Sequence, residues 1–278
     1  MSVITISRGS YSRGKEVAEK VARKLGYECM SRDILLQTSE EFNIPEIRLV
    51  RALHDAPSVL ERFTHGRERY VAYIRKALLK YVQKDNVVYH GLAGHYFLMD
   101  IPHVFKIRII ADMDARVKEE IKRENITPDK ALYILKKDDE ERRRWGLQLY
   151  GIDTWDPQLY DMVLHIKTIT VDDAVDVICR IVQSGTFQAT PDSRKIFDNL
   201  LLAAEVKAAV VDIEPMLNVT ADNGVVQISN IEASKKIRPQ VLAQIKAAAV
   251  ALAGVKKVVF SGQLSEEEQH TVNPFHHI

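Results

Sequence analysis

Apolar positions along the chain change period several times, and each change marks a predicted element. Residues 3–7 form a short β-branched run ending in a turn-forming cluster, which predicts a strand. Val17, Ala18, Val21, Ala22 and Leu25 then recur at helical spacing over residues 14–25, and Gly26 stands where a C′ residue closes a helix. Further strands are predicted at 86–89, 104–111 and 162–166, with helical patterns at 66–83 and 114–123 between them. A third helix opens with Thr127 as N-cap and Pro128 at its first position and runs towards Trp145. Residues 172–183 give a last amphipathic helix. Strands alternating with helices argue an α/β fold, a parallel sheet with helices on both faces.

Residues 184–194, rich in Gly, Ser, Thr and Pro, break all periodicity and are expected to be a linker. Beyond them a helix is predicted at 196–211, strands at 216–221 and 225–231, a helix at 239–252 and a strand at 255–261. Asp222-Asn223-Gly224 between the first two of those strands is a strong hairpin signal. The order is that of a small α+β module with its own alternation. The expected organisation is therefore a first domain at 1–183, a linker at 184–194, a second domain at 195–262 and a polar tail at 263–278.

Composition narrows the class without naming it. A hydrophobic fraction of 46% and a charged fraction of 28% over 278 residues are those of a globular protein able to build its own core. A net charge of +1 makes no general appeal to nucleic acid, so cations for any phosphate chemistry must be placed locally. The two cysteines, Cys29 and Cys179, sit in apolar patterning outside any CxxC pair, which argues reduced thiols and no zinc. No run has the length of a membrane span and the opening lacks the features of a signal peptide, so the expected location is cytoplasmic.

The first candidate chemistry follows the first strand. Gly9, Ser10, Tyr11, Ser12, Arg13, Gly14 and Lys15 fit the spacing G-x-x-x-x-G-K. Glycines let successive backbone N–H groups curl around phosphate oxygens, the helix that follows adds its positive end, and the lysine brings a mobile cation. One position departs from the pattern. Phosphate loops usually carry Ser or Thr just after the lysine or one residue later to hold magnesium, and this chain has Glu16 and Val17 there.

Residues 6–35, with this loop, its helix and the pair Arg32-Asp33, resemble the opening of the cytidylate-kinase-like family of P-loop nucleotide kinases. The resemblance continues through Val87-Val88-Tyr89-His90-Gly91, Asp139-Glu140-Glu141-Arg142, Tyr150-Gly151, Trp155-Asp156-Pro157 and Tyr160-Asp161, and spans about residues 1–183. It implies a P-loop kinase fold, with ATP and Mg²⁺ as cofactors and a nucleoside monophosphate as acceptor, CMP or dCMP first. It implies that Gly9 to Glu16 hold the donor phosphates and that Arg32, Asp33 and Gly91 face the acceptor. Lys15, Arg116, Arg123 and Arg142 would neutralise the transferring phosphoryl group, a role suited to the planar guanidinium fork. Leu92 stands where relatives usually have arginine, and Glu119 and Glu120 where a second basic residue would accompany Arg116.

Residues 200–260 resemble the BON domain, a small αββαβ module, in the Asn223-Gly224 turn and in Gly254-Val255 before the last strand. That resemblance implies binding rather than chemistry, with a protein or small ligand as partner; homo-oligomerisation stays open. Three functions compete at this point: a working nucleotide kinase, a degenerate nucleotide-binding sensor that signals through the second module, and a kinase fold acting on another small molecule, since Leu92 alters the acceptor site.

Overall fold

Val3, Ile4 and Ile6 are buried because the strand that carries them runs through the middle of a sheet. The computed structural model describes residues 2–9, 12–31, 66–91, 94–230 and 239–261. Strand β1 (Val3–Arg8) lies between β3 (Val87–His90) and β4 (Val104–Ala111), with β2 (Glu28–Ser31) and β5 (Met162–Ile166) outside them. The order is β2-β3-β1-β4-β5 and every pairing is parallel. Ile4 faces Val88 on one side and Phe105 on the other. Continuous apolar runs of this kind are what a sheet covered on both faces requires.

The described residues divide into two compact units, one drawn from 1–35 and 82–190, the other from 36–81 and 191–278. In the first, helices α1 (Gly14–Leu25) and α6 (Val171–Gln183) pack together on the sheet. Val17, Ala18 and Val21 of α1 share one core with Val175, Ile178 and Val182 of α6 and with Ile107 and Ile109 of β4. Each of these valines and isoleucines contributes about 1.5–3 kcal/mol when fully buried. The exposed pairs Lys20–Asp172 and Lys24–Asp176 run alongside this contact, and exposed pairs add little to it. Thr170 and Asp173 form a reciprocal capping box at the start of α6.

Several boundaries differ from the sequence reading. β2 and the short helix α3 (Gly94–Phe97) were not signalled by periodicity, since four residues are too few to show a period. α4 (Met113–Glu124) matches its expected span, whereas α5 (Pro128–Tyr150) continues five residues past Trp145. It stops where Gly151 takes a left-handed backbone, φ 69°, and its N–H bonds the carbonyl of Leu147. Both thiols are free, Cys179 buried and Cys29 partly so, and burial pushes the Cys29 thiol up to about 11.

The second unit contains α2 (Gly66–Val82), α7 (Pro191–Val210), β6 (Asn218–Asp222), β7 (Val225–Ser229), α8 (Pro239–Val250) and β8 (Lys257–Phe260). β6 and β7 are antiparallel, β7 and β8 parallel. The hairpin turn uses Asn223 at φ 50° and Gly224 at φ 87°, and a Cβ on Gly224 would lie 2.7 Å from the carbonyl oxygen of Gly254. Val206, Val210, Val226, Ile228 and Ile245 form its core. Two expectations shift here. α7 begins at Pro191, so the irregular stretch after α6 ends there rather than at 194. α2, expected in the first domain, packs with α7 instead: Ala72 and Tyr73 meet Ala208 and Val211, and the Tyr73 hydroxyl donates to Asp212 at 2.6 Å. The polar tail at 263–278 lies outside the described residues. Among those residues no helix is long and apolar enough to cross a membrane.

Lys207 on α7 is largely buried, donating from Nζ to the carbonyls of Pro215 at 2.7 Å and Leu217 at 2.5 Å. Burial pushes its ammonium down to about 8, opposed by the nearby carboxylates of Glu68 and Glu214. An unfolded lysine titrates near 10.4, so above pH 8 the unfolded chain holds a proton that the folded one has released, and stability rises with pH through this window. Lys207→Met should remove that rise. Urea unfolding of both proteins between pH 7 and 10.5 should show parent stability gaining on the variant as pH increases.

Candidate active site

Arg8 ends β1, and the chain leaves the C-terminal edge of the sheet at Gly9. It re-enters regular structure at Gly14, and the approach is close: a Cβ on Gly14 would lie 2.6 Å from the Cβ of Arg8. Glycine is therefore required there by the β1–α1 contact. Arg13 precedes the helix in a left-handed conformation, φ 66°, and among the described residues no side chain caps the N-terminus of α1. The hydroxyl of Ser12 donates to the carbonyl of Gly9 at 3.0 Å, which closes the loop on itself.

A cleft of about 230 Å³ opens at this edge, lined by residues from five separate parts of the first unit. Ser7, Arg8, Gly9 and Ser12 come from β1 and its loop, and Arg108 from β4. Arg116 comes from α4, Asp139 and Arg142 from α5, and Thr154 and Trp155 from the segment before β5. Parallel strands put all their C-terminal ends on one edge, so loops distant in sequence meet there.

The guanidinium groups are held, not loose. Arg116, with a side chain 8% exposed, pairs bidentately with Asp139 at 2.7 and 2.8 Å. This pair stands over the loop: a Cβ on Gly9 would lie 3.5 Å from Asp139 Oδ1 and 3.6 Å from Arg116 Cζ. Arg142 donates to the backbone carbonyl of Arg8 at 3.3 Å. Arg108 donates to the carbonyl of Thr154 and, at 3.4 Å, to the hydroxyl of Tyr160. That hydroxyl donates to the Thr154 carbonyl at 2.9 Å and lies 3.2 Å from Ser7 Oγ. Burial raises the Tyr160 phenol, so it stays a neutral donor. His95 lies beneath, its Nε2 3.4 Å from the same hydroxyl. Burial, reinforced by Arg108 and Lys106, pushes the imidazole down to about 3.

The structure thus gathers Gly9, Ser12, Arg116 and Arg142 of the expected residues at one cleft. Gly14 underlies the loop. Lys15 is 64% exposed on the first turn of α1, with Nζ 3.8 Å from Glu19, and does not line the cleft. Arg123 is 62% exposed at the end of α4 and pairs with Glu124 at 2.6 Å; it does not reach the cleft either, because α4 ends one residue later. Gly91 follows β3 on the same edge, with its N–H bonded to the Ile6 carbonyl, but is not a lining residue. Ser10, Tyr11, Arg32, Asp33 and Leu92 lie outside the described residues. Arg8, Arg108, Asp139, Thr154 and Trp155 carry no assigned role in the sequence reading. The signal for Arg8 and Arg108 was available: an arginine at the C-terminal half of an otherwise apolar strand belongs at a cation-using edge.

Glu16 is engaged as well. Arg13 Nε donates to it at 2.7 Å and Lys20 Nζ lies 3.3 Å away. Partial burial pushes its carboxyl up, but these cations outweigh burial and hold it below the usual range. Arg13 is also 3.9 Å from Glu119, the acid noted on α4. Among the described residues no cluster of three or more His, Cys, Asp or Glu forms a metal cage. With Glu16 tied to two cations, Asp139 to Arg116 and Ser12 to Gly9, the described residues do not fit a magnesium ion held by protein ligands.

Residues 3–168 match the family model described as cytidylate kinase-like. A cytidylate kinase of Sulfolobus acidocaldarius is 24% identical over 181 residues, covering 64% of this chain and 93% of its own. One from Desulfurococcus amylolyticus is 30% identical over 99 residues, covering 35% of this chain and 52% of its own. A solved structure of an uncharacterized protein from Eubacterium ventriosum superposes with a TM-score of 0.51 at 21% identity, over 66% of this chain and 99% of that one. The five-stranded parallel sheet with flanking helices resembles the P-loop kinase fold.

Two outcomes follow from the cleft. A phosphate must compete with the Asp139 carboxylate for Arg116, and a charge-assisted pair is worth about 1.5–3 kcal/mol. Asp139→Asn should bind tripolyphosphate about tenfold tighter by calorimetry, while the folded protein loses stability because Arg116 is left without its counter-ion. His95 should make the parent acid-sensitive. Below its unfolded value near 6.5 the unfolded chain takes up a proton that buried His95 refuses until about pH 3, so stability falls as pH drops through that interval. His95→Gln should flatten this part of the pH–stability curve, measured by thermal unfolding.

Proposed function

Since the chain belongs to the cytidylate kinase-like family, we propose that it transfers the terminal phosphoryl group of ATP to a nucleoside monophosphate, with CMP or dCMP the favoured acceptor. The observation that carries this reading is the convergence of Arg8, Arg108, Arg116 and Arg142 on a cleft bordered by the Gly9–Ser12 turn. Phosphoryl transfer needs alignment and positive charge far more than covalent help from the protein, and that is the chemistry this edge supplies. The backbone of the phosphate loop and the uncapped start of α1 would hold the donor phosphates. Arg116 and Arg142 would neutralise charge on the transferring group. Arg32, Asp33 and Gly91 would face the acceptor. Lys15 and Arg123 enter this scheme only if their side chains leave Glu19 and Glu124. Magnesium would arrive on the nucleotide's own oxygens.

The two-domain reading belongs with this proposal: a catalytic kinase-like domain at about 1–183 and a BON-like binding module at 195–262. A second reading also has an observation behind it. Glu16 and Val17 replace the metal-binding hydroxyl, and Glu16 is bound to Arg13 and Lys20, which favours a protein that binds nucleotide and reports it through the second module.

A coupled assay with ATP, magnesium and a panel of nucleoside monophosphates separates the two. Turnover, fastest with CMP or dCMP, is expected. Arg142→Ala should lower kcat by about a hundredfold or more while changing ATP affinity much less, as a contact made chiefly in the transition state does. Tight ATP binding, no phosphorylated acceptor and an indifferent Arg142→Ala would replace the kinase with the sensor.

A further inference from the structure

Phosphate recognition explains four arginines at the cleft but not the large aromatic beside them. Trp155 lines the same cleft and is 47% exposed. An indole offers phosphate oxygens nothing beyond one N–H, and exposing so much apolar surface forgoes burial that the rest of the unit exploits.

Its position is nonetheless fixed from two directions. Asp153 accepts the backbone N–H of Trp155 at 3.0 Å, anchoring the main chain. The same carboxylate takes a bidentate pair from Arg143, with Nε 3.1 Å from both oxygens and Nη2 2.6 Å from one. The guanidinium so held lies 4.6 Å from the centre of the Trp155 ring. One carboxylate therefore sets both the loop that carries the ring and the cation that covers part of it. Thr154, next in the chain, is bound through its carbonyl to Arg108 and Tyr160, so the segment is tied to the sheet edge as well. A half-exposed ring that no function used would not need this support.

A flat, rigid, open aromatic surface beside a cationic phosphate cleft is what a nucleotide meets with its two ends. We infer that Trp155, braced by the Asp153–Arg143 pair, is the platform on which a nucleobase stacks while the phosphates of the same molecule occupy the arginine cleft. This rests on the nucleotide-kinase reading above and adds to it the residue that would hold the base. The stacking partner is the donor base or the acceptor base, which share this chemistry. Arg143 acts on the base through the indole and is a positioning residue.

Stacking is tested by separating base from phosphate. ATP, CMP and tripolyphosphate are titrated into the full chain and into Trp155→Phe and Trp155→Ala, following indole fluorescence and heat. In the parent, at least one nucleotide should quench fluorescence and tripolyphosphate should not, and that quench should be absent from Trp155→Phe. Quenching by ATP alone assigns the ring to the donor base, and by CMP alone to the acceptor base. Trp155→Ala should weaken the quenching nucleotide about 5- to 100-fold, leave tripolyphosphate affinity unchanged, and Trp155→Phe should retain most of the affinity. Nucleotide heat without quenching, or equal loss for nucleotide and tripolyphosphate in Trp155→Ala, overturns the inference while the kinase reading stands on its own turnover assay. A parent that neither binds nor phosphorylates any nucleotide overturns both.

Discussion

Four guanidinium groups facing one cleft of about 230 Å³ is the constraint around which the rest of the first unit is arranged. Like charges in a partly enclosed space repel by several kcal/mol per pair at an intermediate effective dielectric, about 4 kcal/mol at 4 Å. The fold meets this with acceptors matched to three of the four cations. Asp139 takes both arms of Arg116, the carbonyl of Arg8 takes Arg142, and the Thr154 carbonyl with Tyr160 takes Arg108. Apart from one carboxylate, the partners named here are neutral, so the cleft stays positive and an anion entering it gains from each cation at once.

That arrangement depends on parallel strands. Arg8 and Arg108 sit on neighbouring strands at the same edge, and α4 and α5 begin beyond β4, which brings Arg116 and Arg142 over it. Beneath the edge, Tyr160, Ser7 and neutral His95 form a buried hydrogen-bonded layer that carries no charge of its own. A protonated His95 would add a further cation to the same place. Burial prevents this, and the cleft's potential is left to the arginines.

The second unit shows the opposite economy of charge. Its core is small and aliphatic, and the buried Lys207 is spent on two backbone carbonyls at the turn between α7 and β6. The described residues of this unit hold no acid–base pair in a cleft.

Sequence alone determined the elements with enough length to show a period and the turns with a demanding backbone. Val17 to Leu25, the Thr127-Pro128 helix start and Asn223-Gly224 were all legible, because helical spacing, capping and positive φ are local properties that neighbouring residues enforce. The α/β alternation and the Gly9–Lys15 spacing were legible for the same reason. Tertiary structure decided which cations meet. Arg116 and Arg123 share one helix and looked equivalent, yet one is buried against Asp139 and the other is in solvent beside Glu124. Arg8, Arg108 and Trp155 carried no role in the sequence, even though the two arginines interrupt apolar strands and Trp155 marks the resemblance, because nothing local says which of them meet. They become a site only when parallel strands bring residues 8, 108 and 155 to one edge, and no local pattern encodes a distance across that much chain.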